Sequence, residues 1–430
     1  MPDAGCLRTE RAQIYNLKLL DYACHSYQEF PRRHQKTSGP PVTLAINPFI
    51  AAIPTNPLRA LFPYGARPGM LNLANGHPSR DAYDHEGLVE AASRASQDFS
   101  AWTYGSSAGD PALISALTET VATLPPGRRL LVTSGAQQGI DLAIRTFAPP
   151  GTKVLVPEPV YPAVLSTCAA VGVEALGYPI ASDDIELAGL KAVLAGAGDV
   201  RALYALPTFG NPTGDTLTLE QRMQLLTLCA KHDIPVIEDA PYSDLWFRAP
   251  PPPSLLDLAP QVDGAIVIYL GSLSKIMSPG LRIGWLVAPE AIAAAMQDAR
   301  QASDLQPNAL AQRVAYHYLQ LGRLTDHVAR VRKLYAERHD ALVEVLTAAG
   351  FTVPNVGGGM FIFPFLPADK GNSNLFERTV AQNVLFAPGP AFCTRADSGL
   401  FSDRMRLCFA GLATPEIVQA AERLVAAIRS

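Results

Sequence analysis

The stretch Arg128–Ala148, RRLLVTSGAQQGIDLAIRTFA, sets a short apolar run against a longer one across a small Ser-Gly turn. RRLLVT reads as a strand. AQQGIDLAIRTFA carries apolar residues at helical spacing, so the pair is a strand feeding a helix. The same grammar repeats outward. TKVLVPEP precedes the helical YPAVLSTCAAVG, RALYALPT leads into a helix, IPVIEDA follows that helix, and AIVIYLGSLS and LRIGWLVAP lie close together. Strands alternating with helices between about residues 90 and 290 predict a largely parallel sheet with helices on both faces. The wholly apolar runs VIYL and LYAL fit strands buried on both sides. One helix can be read by spacing. Leu219, Met223, Leu226 and Ala230 form a single stripe, and Thr218 with Gln221 makes a capping box at its start.

After Ala291 the pattern turns helical. RLTDHVARVRKLYAERHDALVEVLTAAG predicts a long helix ended by Gly350. Strand-like FTVP, GGGMFIFPFL and RMRLCFA follow, then a last helix, ATPEIVQAAERLVAAIR, which together predict a smaller α+β unit. The 430 residues are 48% hydrophobic and 17% charged, the profile of a well-buried globular enzyme. A net charge of −4 gives no electrostatic footprint for nucleic acid or an anionic membrane. Six cysteines without a CxxC pair read as reduced thiols and predict a cytoplasmic protein. Residues 1–40 are polar and irregular, and their basic PRRHQK reads as a solvated arm.

Four strand-end turns carry chemistry. Ser134–Gly139, SGAQQG, is a glycine-bearing turn into a helix, which aims backbone N–H groups at an anion; taken alone it reads equally as an ordinary cap. It is neither GxGxxG nor a Walker loop. FGNPTGD places Asn211 at the carboxyl edge of the sheet, where α/β ligands bind. VIEDAPYSDL ends a strand on Asp239, with Tyr242 three residues on. A carboxylate there is costly to bury unless it meets a cation or a protonated ring nitrogen. SLSKIMSPGLRIGW, Ser272–Trp285, sets Lys275 among Ser272, Ser274 and Arg282. One ligand with a phosphate, a ring nitrogen, a ring hydroxyl and an aldehyde accounts for all four: pyridoxal 5'-phosphate (PLP).

These motifs resemble the fold-type I PLP-dependent aminotransferases of class I and II, and within them the 2-aminoadipate/kynurenine aminotransferase-like subgroup. The likeness runs from about Pro57 to the C-terminus and is densest over SLSKIMSPGLRIGW, NPTG and the strand-end Asp-x-x-Tyr. It implies a three-layer α/β/α PLP-transferase fold with a smaller α+β domain. The implied organisation is an extension at 1–45, a joining segment at 46–90, a large cofactor domain at 91–320 and a small domain at 321–430. Lys275 would form the Schiff base and carry the proton, Asp239 would pair with the ring nitrogen, and Asn211 and Tyr242 would bond the ring oxygen. Tyr161 would stack on the ring. Gly135, Ala136, Gln137, Ser272, Ser274 and Arg282 would hold the phosphate, joined by Tyr104 from the other subunit of a homodimer. Arg406 would bind the substrate carboxylate, with Gly76 and Asn211 beside it. The implied reaction is ping-pong transamination between an L-amino acid and a 2-oxo acid, with aromatic or medium-length aliphatic side chains expected.

Other readings fit parts of the chain. Fold-type I lyases, decarboxylases, racemases and oxidases use the same lysine, and the bond broken at Cα is the one perpendicular to the ring, which pocket geometry sets. Gly210 stands where the subgroup commonly has a larger polar residue such as Gln, which widens that choice. PLP-bearing domains of transcription regulators are also similar, but residues 1–40 lack a recognition-helix pattern. Gly105–Gly109, GSSAG, fits the hydrolase nucleophile elbow on Ser107, yet Asp110-Pro111 starts the next helix too late for it. No histidine or cysteine spacing points to a metal.

Overall fold

The computed structural model describes residues 46–179, 187–367, 374–395 and 398–429. The expected extension at 1–45 lies outside them. After a two-residue strand β1 (Leu71–Asn72) come β2 (Arg128–Thr133), β3 (Lys153–Glu158), β4 (Glu174–Pro179), β5 (Val200–Ala205), β6 (Val236–Asp239), β7 (Val267–Ser272) and β8 (Gly284–Pro289). The last seven form one sheet in the order β2-β8-β7-β6-β5-β3-β4. Strand β8 runs antiparallel to β2 and β7, and the remaining neighbours are parallel. Parallel neighbours need a crossover: Pro162–Ala170 joins β3 to β4, Leu219–Lys231 joins β5 to β6 and Leu255–Leu258 lies between β6 and β7. Ala136–Phe147 and Ala188–Gly196 carry the chain from β2 to β3 and from β4 to β5. Each crossover returns the chain to the same starting edge, so the strand-end turns collect at the opposite one.

Strand alternation divides the core between the two faces. Leu130, Val132, Leu155, Leu203 and Val236 pack on one side; Leu131, Val154, Val156, Ala202 and Ile237 pack on the other. The helix Leu219–Lys231 has its capping box, Thr218 with Gln221. Its buried face differs from the predicted stripe. Arg222, Leu225, Leu226 and Cys229 turn inward, while Leu219 is half exposed. The stripe is displaced because Arg222 is drawn inward by backbone carbonyls: its guanidinium donates to Leu217 O, Pro253 O and Pro207 O and to Thr208 Oγ1. A buried charge without such partners would cost several kcal/mol.

The long helix spans Leu324–Ala348, and Gly350 beyond it takes φ +90°, a conformation that favours glycine. Strands β9 (Phe361–Ile362), β10 (Val384–Leu385), β11 (Ala387–Pro388) and β12 (Met405–Cys408) follow. An antiparallel sheet orders them β11-β12-β9, while β10 pairs in parallel with β1, stitching the N-terminal segment to the C-terminal part. The strands are shorter than GGGMFIFPFL and FTVP suggested. Pro364 lacks the N–H a ladder needs, and FTVP keeps a single bridge, Thr352 to Phe365. No helix among the described residues is long and apolar enough to cross a membrane.

Candidate active site

A cavity of about 370 Å³ opens at the carboxyl edge of the large sheet. Ala136, Gln137, Tyr161, Asn211, Asp239, Tyr242, Ser272, Ser274, Lys275 and Arg282 line it, and Gly76 and Arg406 close it from the C-terminal sheet side. Twelve of the fourteen residues singled out from sequence therefore share one space. Gly135 lies at its margin. Tyr104 is 85% exposed and does not line it.

One end of the cavity is built for an anion. Gly135 caps the helix Ala136–Phe147 at φ +77°, with no side chain filling the cap. A φ of +77° favours glycine at 135, and a Cβ there would displace the Arg282 guanidinium from the turn. Arg282 Nη2 donates to Ser134 O at 2.9 Å, while Ser272 Oγ donates to Ser274 Oγ at 2.9 Å and accepts from Ser274 N at 3.1 Å. Arg282 itself is held at φ +54° after the Pro279–Leu281 turn, a conformation costing about 1 kcal/mol or more for a side-chain-bearing residue. Helix N–H groups, two hydroxyls and a guanidinium together suit a phosphate.

The other end pairs an acid with an amine. Asp239, at the end of β6, is buried; its Oδ2 accepts from Tyr204 Oη at 2.7 Å and its Oδ1 has no partner among the described residues. Burial pushes its carboxyl up to about 6, against the Tyr204 hydrogen bond and Lys275, which pull it down. Lys275 Nζ donates to Gly76 O at 2.8 Å. Burial lowers the Lys275 amine to about 8, the nearby Arg406 and Arg282 charges push the same way, and Cys408 and Asp239 oppose them. Tyr242 stands edge-on to Phe361 at 5.8 Å, its phenol raised mainly by burial. Burial also raises Tyr161.

Arg406, in β12, is buried between Phe361 and Phe392, with its guanidinium carbon 4.5 and 4.9 Å from their ring centres. It donates from Nη1 to Asn211 Oδ1 at 3.0 Å and from Nη2 to Ala74 O, and its Nε is unpartnered among the described residues.

Four participants escaped the sequence reading. Tyr204 sits inside an apolar strand and looks like core. Phe361 and Phe392 flank Arg406 from distant segments. Arg59 lines the cavity from a short turn, Pro57–Leu61, where a lone arginine reads as solvated. The GSSAG stretch is a turn: the following helix starts at Pro111 with Asp110 as cap, and Ser107 Oγ accepts from Gln297 and Gln301.

A helix-sandwiched, mostly parallel sheet with a buried acid, a softened lysine and an anion cradle at its carboxyl edge defines the fold class of the PLP-dependent transferases. The family model for aminotransferase class I and II matches residues 68–424, and the chain belongs to that family. It is 33% identical over 385 residues to 2-aminoadipate transaminase of Thermus thermophilus, covering 88% of this chain and 94% of that one. It is 30% identical over 375 residues to aromatic-amino-acid aminotransferase 1 of Thermococcus litoralis, covering 84% and 88%. The alpha-aminoadipate aminotransferase structure from Thermus thermophilus, complexed with N-(5'-phosphopyridoxyl)-L-leucine, superposes with a TM-score of 0.79 at 31% identity, over 89% of this chain and 97% of that one. The protein is an aminotransferase of the PLP-dependent, fold-type I class.

Proposed function

We propose that PLP binds in the cavity and that Lys275, Asp239 and Tyr242 are the catalytic residues of transamination between an L-amino acid and a 2-oxo acid. The observation that carries this reading is Asp239. A buried carboxylate oxygen without a partner costs free energy until a donor or cation completes it, and a protonated ring nitrogen does so. At the opposite end, Gly135, Ala136, Gln137, Ser272, Ser274 and Arg282 would hold the phosphate, in a turn where a Cβ at Gly135 would meet the guanidinium.

PLP, when bound, supplies the sink for the electron pair left at Cα. The chain's own residues do the rest. Asp239 Oδ1 keeps the ring nitrogen protonated. Lys275 Nζ, neutral in a large fraction near pH 8, would hold the cofactor's aldehyde end and, when freed, would be placed to take and return the Cα proton. Asn211 Oδ1 is already occupied by Arg406, so its Nδ2 is free to donate to the ring oxygen alongside Tyr242. Tyr161, which lines the cavity, would stack on the cofactor ring. Arg406 keeps Nε and one hydrogen on each terminal nitrogen for the substrate carboxylate, while Gly76 flanks the substrate.

The domain reading follows: residues 91–320 carry the cofactor, 321–430 form the smaller domain and 46–90 join the two. The working unit is a homodimer in the cytoplasm, with exposed Tyr104 reaching the neighbouring copy's phosphate end; the described cysteines are all free and buried, which suits a reducing compartment. For the side chain, Arg59 lines the cavity, and its guanidinium has no hydrogen bond or ion pair among the described residues. That cation supports a second carboxylate, as in 2-aminoadipate, among the donors taken.

The test is a panel of L-amino acids added to the PLP-loaded protein, read as conversion of the cofactor to its amine form with keto-acid products identified. Dicarboxylic and aromatic donors should convert it, Lys275→Ala should not, and Arg59→Gln should lose the dicarboxylic donors alone. Ammonia or carbon dioxide released without keto-acid-dependent turnover would overturn transamination.

A further inference from the structure

Arg300 is among the largest fully buried side chains of the molecule, and the catalytic reading gives it no role. It lies near the end of the helix Glu290–Gln301, beneath the turn that leaves β2. Its Nη1 donates to Val132 O, and its Nε and Nη2 donate to Asp304 Oδ1 and Oδ2, each at 3.1 Å. Asp304 Oδ2 also accepts from Gln138 Nε2 at 2.6 Å, and Gln138 Oε1 in turn accepts from Ser134 N at 2.7 Å. Ser134 O is taken by Arg282 Nη2. Both backbone polar groups of Ser134 are therefore held, the carbonyl from inside the cavity and the N–H from outside it.

We propose that Asp304 is a positioning residue for the phosphate end of the site. It fixes Gln138, and through Gln138 it fixes the Ser134–Ala136 turn, which sets the position of the helix N–H groups from Ala136 onward that face the anion. This rests on the PLP reading above. Gly135 at φ +77° has no Cβ to define its conformation; Thr133 ties it from within, accepting from Gly135 N and donating Oγ1 to Gly135 O, and an external brace fixes Ser134 beside it. The relay Arg300–Asp304–Gln138–Ser134 is that brace. A carboxylate near a phosphate site would ordinarily repel the ligand, but here its charge is met by two guanidinium donors. The role is thus geometric, and geometry and charge predict opposite results when Asp304 is removed.

The experiment uses the full-length protein stripped of cofactor and titrated separately with PLP and with pyridoxal, which lacks the phosphate. Asp304→Ala and Gln138→Leu should each weaken PLP binding about tenfold, the worth of one charge-assisted hydrogen bond. Pyridoxal, which does not use the turn, should bind both variants as it binds the parent. Tighter or unchanged PLP binding in the variants would overturn the proposal. Equal losses for PLP and pyridoxal would also overturn it, since that is general loosening. Gln138 is only half buried and bears no charge, so Gln138→Leu decides the matter where Asp304→Ala does not fold. If the unmutated protein binds pyridoxal and PLP equally, or neither, the cofactor reading falls first and this one with it.

Discussion

Lys275 shows how much a single side chain owes to its surroundings. Burial and two neighbouring guanidinium groups lower its amine to about 8, and the neutral amine is the form that attacks an aldehyde. At pH 8 about half of the molecules carry it, against roughly one in three hundred for an unperturbed lysine. The sign is definite: a depressed lysine pKa enlarges the reactive fraction as pH rises, and the gain stops once pH passes the pKa. The rate at which stripped protein takes up PLP, followed by absorbance, should rise about tenfold per pH unit below 8 and flatten above it. A rate that kept climbing towards pH 10 would show that the amine is unperturbed. Lys275 and Asp239 were legible in the sequence because Asp239 ends an apolar strand and Lys275 follows one by three residues, where an ionisable group has no structural excuse. Tyr204 was not, because a tyrosine inside an apolar strand reads as packing until its hydroxyl is found 2.7 Å from Asp239.

Among the elements, the loop from Leu206 to Leu217 depends on Arg222 more than on its own turns. The loop is closed by Leu217 N on Pro207 O, Gly210 N on Asp215 O and Gly214 N on Gly210 O, and Arg222 adds donors to both of its ends. Behind it, Glu238 is fully buried beside Asp239, accepts from Leu255 N and Leu256 N, and is pushed up to about 7 by burial, which the Arg222 charge offsets in part. Removing Arg222 leaves carbonyls unmet and Glu238 without its cation. Arg222→Met should destabilise the protein by about 3–5 kcal/mol in denaturant unfolding, and adding Glu238→Gln should recover part of that loss. A cost below about 1 kcal/mol would mean the loop holds itself. The sequence identified this helix and its capping box, since both are local. It misjudged which face turns inward, because an arginine is scored as solvent-facing until its partners, drawn from residues 207 to 253, are known.

At the scale of the molecule, the parallel sheet was legible because strand and helix periods alternate along the chain. The joining of Leu71–Asn72 to Val384–Leu385 was not, since two-residue strands far apart leave no period, and the Arg406–Asn211 contact across the cavity is equally non-local. Tyr104 raises the same issue between copies. It is 85% exposed, yet the next residue is pinned: Gly105 N donates to Gln306 Oε1. An exposed aromatic on an anchored backbone suits a role in a second copy better than a role in its own cavity, which it does not line. Subunit mixing separates the two. If the working unit is the proposed homodimer, Tyr104→Ala and Lys275→Ala proteins, each poorly active alone, would form hybrids in which one site takes its lysine from the first chain and its tyrosine from the second. Equal amounts allowed to exchange should recover activity to about a quarter of the unmutated level, because half the dimers are hybrid and each holds one intact site. If Tyr104 serves its own chain instead, every hybrid site lacks one of the two residues, and mixing restores nothing.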